Sequence, residues 1–392
     1  MGTPEGWLET TIGAVSTLQR GFDLPVQDRQ RGIVPVIASN GPVGTHSIAR
    51  VQGPGVVTGR SGTIGKVFYS AHGFWPLNTT LYVDDFHGND PLFVFHFLGA
   101  QDLGRFAAST GVPSLNRNFV HPAPALLPPL PEQRKIAAIL SSLDETIEKT
   151  EAVIDQLQVV KKAMMEELLT RGMPGRHTRF KQTEIGEIPE GWEVRRLDDV
   201  SSRIVVGVVV KPASYYASEG VPALRSLNVK EDRIVLDNLV RFSAESNQVL
   251  SKSMLRAGDV VTVRTGAPGT SAVVPPALDG ANCIDIIITT PTDRVSGAFL
   301  SRFINSERGK GAVARGQGGL AQQHFNVGEM RQMLIPVPPV AEQLEVVDVL
   351  RSVDARIEGE VAAVSRMRAV KAALSASLLA GDLRVTPDEP PP

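Results

Sequence analysis

The chain has 392 residues, more than one ordinary hydrophobic core holds and enough for two domains of typical size. Its 42% hydrophobic and 21% charged residues are ordinary globular material and exclude a disordered or fibrous polymer. Lys and Arg total 40 against 42 Asp and Glu, so there is no global positive field, and any contact with a polyanion must be local.

In chain order, the sequence opens on Pro4-Glu5-Gly6-Trp7, and residues 1–125 read as a first mixed α/β domain. Gly55-Val56-Val57-Thr58 is a short β-prone run among Gly and Pro turns, and residues 91–108 carry a helical pattern. Residues 126–171 read as a long helix that starts after Pro128-Pro129 and Pro131. Within it, positions 136, 140, 143, 147, 150, 154, 157, 161, 164 and 168 follow alternating four- and three-residue steps, and all but Thr150 and Lys161 are apolar. This is a heptad seam, and a helix so long outreaches a small domain and needs a helical partner. Gly172, Pro174 and Gly175 stop the helix, and residues 172–185 are expected to form an exposed linker. Residues 186–335 read as a second mixed α/β domain, with β-prone runs at 259–263 and 284–288 and helical patches at 297–315. Residues 336–385 repeat the proline-rich start and the seam, and the Pro-rich tail 386–392 is expected to be disordered.

The chain is thus written twice. Leu130-Pro131-Glu132-Gln133 matches Val340-Ala341-Glu342-Gln343, and the same offset holds through Ile136 and Val346, Asp144 and Asp354, Lys161 and Lys371, and Leu168-Leu169 and Leu378-Leu379. Pro4-Glu5-Gly6-Trp7 recurs as Pro189-Glu190-Gly191-Trp192, and Val57-Thr58-Gly59-Arg60-Ser61-Gly62 is echoed by Val261-Thr262-Val263-Arg264-Thr265-Gly266. The expected architecture is two globular domains separated by two long antiparallel coiled-coil helices about a pseudo-two-fold axis. Of the possible registers, the one of fullest overlap sets Lys161 opposite Val353, and a shift of one heptad sets it opposite Glu360. Apolar seam burial should outweigh one partly exposed ion pair, which favours the first.

Cys283, the single cysteine, has no disulfide partner in the chain, and the seven histidines show no metal-ligand spacing. No export signal or membrane-length apolar run is seen, so a cytoplasmic protein with no membrane contact is expected.

Leu127-Pro128-Pro129-Leu130-Pro131-Glu132-Gln133, with Ile136-Ala137-Ala138-Ile139-Leu140 after it, resembles the central repeat of the specificity subunits of type I restriction-modification systems. Ile335-Pro336-Val337-Pro338-Pro339-Val340-Ala341-Glu342-Gln343 is similar to their distal repeat, and Ile185-Gly186-Glu187-Ile188-Pro189-Glu190-Gly191-Trp192 to the opening of their second recognition domain. Gly59-Arg60-Ser61-Gly62-Thr63-Ile64-Gly65-Lys66 resembles a stretch common within such domains. The resemblance implies a non-enzymatic subunit whose two domains each read one half of a split double-stranded DNA target. It also implies helices that bind two methyltransferase (modification) subunits, and recruitment of a restriction (translocase and nuclease) subunit. No cofactor is implied for this chain: S-adenosylmethionine belongs to the methyltransferase, and ATP and Mg to the restriction subunit.

The residues agree on the absence of catalysis. The Pro-Pro pairs lack the flanking pattern of an adenine methyltransferase, and Gly62-Thr63-Ile64-Gly65-Lys66 has the wrong spacing for a phosphate-cradling loop. Side chains able to reach base edges or phosphates mark the candidate DNA contacts. In the first domain these are Arg60, Ser61, Lys66, Asn116, Arg117 and Asn118. In the second they are Arg264, Thr265, Arg315, Gln317, Gln322, Gln323 and His324. Lys66 has no cationic counterpart in the second loop. Asn78 and Asn282 read as structural turn residues, and Trp7 and Trp192 as core anchors. The rival reading, favoured by the near-neutral charge, is a coiled-coil adaptor that binds protein ligands without reading DNA.

Overall fold

The computed structural model describes residues 3–107, 113–316 and 324–386. The chain divides into two compact units, Met1–Ala152 with Glu360–Pro392, and Val153–Gly359. Both are mixed α/β.

In the first unit, Leu8–Thr11 pairs antiparallel with Pro124–Leu127, closing the domain immediately before the long helix. Between them lies an antiparallel four-stranded sheet in the order Thr17–Arg20, Thr80–Asp85, Gly55–Gly59, Val67–Ser70. Successive residues of its inner strands serve opposite faces. Val56, Leu81 and Val83 join the core around Phe93, Val94 and Phe97, whereas Val57 and Tyr82 pack with Ile37 and Phe74. Helix Pro91–Ala100 starts at Pro91 because Asp90 Oδ1 accepts the Phe93 N–H at 2.9 Å, and proline suits the first helical position.

The second unit repeats this plan. Glu193–Arg196 pairs with Leu334–Val337, and a four-stranded sheet runs in the order Ser201–Val206, Ile286–Pro291, Val260–Val263, Ser271–Val273. Its helix Gly297–Asn305 is capped by Ser296 Oγ, which accepts the Phe299 N–H at 3.1 Å. The extra length of the second domain lies in its outer layer. A further four-stranded sheet (Tyr216–Ala217, Val240–Phe242, Val221–Leu224, Asn282–Cys283) stands where the first unit has three strands (Gly41–His46, Val34–Ala38, Trp75–Pro76).

The long helices are Leu130–Arg171 and Val340–Ala380. Each starts a few residues later than the sequence pattern suggests, because strands Pro124–Leu127 and Leu334–Val337 take the preceding residues. Each ends at a left-handed glycine, Gly172 (φ 78°) and Gly381 (φ 77°), a position where a side chain is strained. The segment 172–185 is more anchored than an exposed linker: Met173 packs on the core, and Phe180–Thr183 forms a hairpin with Gly186–Pro189. The tail residues 387–392 lie outside the described residues.

Each of the ten seam positions of either helix is buried or half-buried. In both units the two helices run antiparallel. In the second, Lys161 Nζ lies 2.7 Å from Asp354 Oδ1, and Arg176 near one end meets Glu345 near the other. In the first, the equivalent Lys371 pairs with the equivalent Asp144, and Arg368 with Glu151. Asp354 adjoins Val353, so Lys161 stands in the register of fullest overlap. The two lysines of the seam are met by carboxylates one position outside it.

The first turn of each helix carries a buried Glu-Gln pair. Glu132 Oε2 accepts from Trp7 Nε1 at 2.9 Å, and Arg384 Nε donates to Glu132 Oε1 at 2.8 Å. Burial opposes the Glu132 charge, yet the bonds from Arg384 and Trp7 together hold its carboxyl below the usual carboxylate range. Gln133 donates to Pro128 O and Asn89 Oδ1 and accepts the Asp90 N–H at 3.0 Å. In the second unit Glu342 accepts from Trp192 Nε1 at 3.1 Å and from His177 Nε2 at 2.8 Å, while Gln343 binds Pro338 O, Arg294 O and the Ser296 N–H.

One scaffold position differs. In the second unit, Arg302 is 7% exposed and forms ion pairs with Asp354 and, at 2.9 Å but out of line for a hydrogen bond, with Asp232. In the first, His96 stands there, with Nε2 2.9 Å from Ser141 Oγ. Burial first, then the Lys371 charge, pushes its imidazole down to about 4.

These differences predict unequal stability effects. Asp354→Ala leaves the Arg302 guanidinium short of a partner in the interior and should cost about 3 kcal/mol, whereas Asp144→Ala faces a half-exposed Lys371 and a neutral His96 and should cost about 1 kcal/mol. Urea unfolding of the full-length chain measures both, and equal losses would refute the distinction. His96 also predicts a pH dependence. Between its ordinary value of 6.5 and about 4 the unfolded chain takes up a proton that the folded state refuses. Stability of the first unit should therefore fall as the pH drops through that window and level off below it. His96→Gln should flatten this slope in thermal unfolding, and an unchanged slope would remove His96 as its source.

Candidate nucleic-acid interface

In the first unit, strand Gly55–Gly59 delivers the candidate loop. A side chain at Gly59 would run into the Thr63 carbonyl, so the turn that presents Arg60 and Ser61 depends on glycine. The Arg60 and Ser61 N–H groups donate to Thr79 O at 2.9 and 3.2 Å, and Arg60 O accepts the Leu115 N–H at 2.7 Å. This draws the Asn116 segment against the loop. Arg60 Nη1 donates to Asn78 O at 3.2 Å, and the Asn78 amide donates to Asp23. Lys66 is exposed and makes no ion pair among the described residues.

Asn116 is exposed and caps the short helix Arg117–Val120, its Oδ1 accepting the Asn118 N–H at 3.0 Å. Asn118 is also exposed. Arg117 turns inward, donating to Leu18 O at 3.1 Å and to Gln19. Burial and the Arg117 charge push the His121 imidazole below its usual range, which suits its Nε2 as acceptor of the Leu18 N–H.

In the second unit, strand Val260–Val263 delivers Arg264 to the matching place, and Arg264 O accepts the Phe325 N–H at 3.2 Å as Arg60 O accepts that of Leu115. The side chain is 16% exposed: Nη1 lies 2.6 Å from Asp285 Oδ1 and Nε donates to Phe325 O at 3.1 Å. Thr265 Oγ1 donates to Asp285 Oδ2 at 3.3 Å and meets His324 Nδ1 at 2.9 Å. The structure thus brings Arg264, Thr265 and His324 around one carboxylate. Arg315 is exposed at the end of helix Glu307–Arg315. Gln317, Gln322 and Gln323 lie outside the described residues. Asn282 is a buried bracket, donating to Asn247 Oδ1 at 2.7 Å and accepting the Cys283 N–H at 2.9 Å.

Among the described residues no His, Cys, Asp or Glu group could hold a metal ion, and no helix is long and apolar enough to cross a membrane. Residues 4–159 match the family described as the type I restriction modification DNA specificity domain. The chain is 28% identical over 313 residues to the MjaVIII type I restriction enzyme specificity subunit of Methanocaldococcus jannaschii, covering 76% of this chain and 71% of that one. Among solved structures it resembles the S subunit of a type I restriction-modification system from M. genitalium, with a TM-score of 0.60 at 14% identity over 96% of this chain and 99% of that one. A chain solved in work on complex assembly and conformational transition of the type I system gives a TM-score of 0.61 at 17% identity, over 98% and 100% of the two chains. Residues 4–159 thus match the DNA specificity domain of this family, and the chain is similar to type I restriction-modification specificity subunits over most of its length.

Three charged residues beside the candidate loops escaped the sequence reading. Asp23 and Asp285 lie beside the candidate loops, and Lys211 is exposed at a left-handed turn (φ 43°) three residues after Val208, whose carbonyl accepts the Asp285 N–H at 3.1 Å. A signal for Asp285 existed. Strand Thr80–Asp85 begins two residues after Asn78, but strand Ile286–Pro291 begins four after the matching Asn282, so the second domain has an insertion there.

Proposed function

We propose that this chain is a non-catalytic specificity subunit that reads a split DNA target, one half with each domain, binds two methyltransferase subunits through its helices and recruits a restriction subunit. It acts in the cytoplasm and binds no cofactor itself; S-adenosylmethionine stays with the methyltransferase, and ATP and Mg with the restriction subunit. The observation that carries the reading is the repeated loop construction, in which Arg60 closes on Leu115 and Arg264 on Phe325. Each closure gathers polar, base-reading side chain types at one edge of a sheet.

The roles divide by exposure. Lys66 in the first domain and Lys211 in the second are exposed cations suited to phosphate. Arg60, Ser61, Asn116 and Asn118, and Thr265, His324 and Arg315, are placed to read bases or sugar-phosphate edges, with Gln317, Gln322 and Gln323 as further candidates. Arg117 positions the loop through Leu18 and Gln19. For the protein partners, the first unit offers an apolar groove lined by Ile139, Leu143 and Leu374, and the second exposes Val159 and Val160. Such surfaces suit helical segments of a partner.

Mapping methylated sites after co-expression with the partner methyltransferase should reveal a two-part motif with a fixed spacer. Lys66→Ala should weaken binding to all duplexes alike and flatten the log–log salt dependence by about 0.9. A complex that binds target and scrambled duplexes equally would overturn the DNA-reading function in favour of a protein adaptor.

A further inference from the structure

The two equivalent arginines meet different chemistry. Arg60 donates to a neutral carbonyl, and no carboxylate pairs with it among the described residues. Arg264 is neutralised by Asp285 at 2.6 Å, and Asp285 belongs to the insertion that the first domain lacks. Its other oxygen takes the Thr265 hydroxyl, and its backbone is left-handed (φ 51°), a conformation that Asp tolerates better than most residues. The carboxylate is 36% exposed. An anion has thus been placed at a loop that, in the function proposed above, faces a polyanion.

We propose that Asp285 is a specificity-determining residue of the second half-site: it withholds the Arg264 charge from phosphate and holds the guanidinium for a base edge. The inference rests on the DNA-reading function. An unpaired arginine is attracted to the backbone of any sequence and adds to non-specific binding. To reach Arg264, a phosphate must break the 2.6 Å pair and approach the Asp285 charge. A base edge need not, because each terminal guanidinium nitrogen carries two hydrogens and Nη1 keeps one when Asp285 takes the other. General phosphate attraction in this domain then falls to Lys211, and discrimination to Arg264, Thr265 and His324.

Asp285→Asn keeps one acceptor oxygen for Arg264, and its amide nitrogen can donate to the Thr265 hydroxyl, while the charge is released. The full-length chain in complex with its methyltransferase is titrated with three duplexes: the mapped target, the target altered in the second half, and the target altered in the first. For D285N, affinity for the duplex altered in the second half should rise several-fold, and the log–log salt slope should steepen by about 0.9. Discrimination at the first half should stay unchanged. In the double variant R264A/D285N the gain should vanish. Arg264→Gln gives an independent arm, loosening the second half alone. Unchanged discrimination and slope in D285N would overturn the proposal, as would a gain that persists in the double variant or an equal loss at both halves in R264Q. A wild-type complex that discriminates none of the duplexes would instead overturn the DNA-reading function itself.

Discussion

A carboxylate and an amide buried in the first turn of each long helix form the constraint on which both units depend. Polar groups removed from water must find partners or cost free energy comparable to a lost hydrogen bond. Glu132 and Gln133 draw theirs from the Trp7 opening, from the proline turn at Pro128 and from the residues that begin helix Pro91–Ala100. Glu342 and Gln343 draw theirs from Trp192, Pro338 and the start of helix Gly297–Asn305. Each pair therefore fixes where a domain begins, where its packing helix begins and how the long helix leaves it. The motif is short because the geometry needs only two adjacent side chains, one accepting and one both donating and accepting.

Much of this was legible because it is periodic or repeated. The heptad seam announces itself at every turn, and duplication doubles each signal. Even its exceptions were informative, since Lys161 and Lys371 recur at equivalent places and find equivalent aspartates. What escaped the sequence rests on contacts between residues far apart in the chain. Nothing near Glu132 announces Arg384, and nothing near Glu342 announces His177, although the two occupy corresponding roles. The hairpin Phe180–Thr183 with Gly186–Pro189 hid in a stretch rich in turn formers. Residue type alone marks Arg117 as a candidate DNA contact, and only the fold shows its guanidinium donating to Leu18 O.

The near-neutral composition has a structural cause. Many cations are held by internal acceptors: Arg203 by Asp259, Arg302 by Asp232 and Asp354, Arg308 by Glu166, Arg384 by Glu132. Such pairs cancel in any count of net charge and contribute little long-range field. Exposed cations remain beside the candidate loops, Lys66, Lys211 and Arg315 among them. A near-neutral chain favours discrimination over indiscriminate binding, because phosphate attraction is the part of DNA affinity that ignores sequence.

Duplication explains how two unequal readers fit one scaffold. The Glu-Gln pairs, the tryptophans and the seam are tied to several partners at once, so a change in any one strands the others. The loops carry fewer obligations. An insertion at Asp285 leaves the strand pairing of Val260–Val263 with Ile286–Pro291 intact, since register is set by the buried valines and isoleucines and not by the turn before them. The position of His96 and Arg302 marks the boundary between these regimes. It touches the helix pair, yet its chemistry changed from a neutral imidazole to a paired guanidinium, because Asp144 and Asp354 keep a lysine partner in either case. Divergence is permitted wherever the partner left behind retains a second contact.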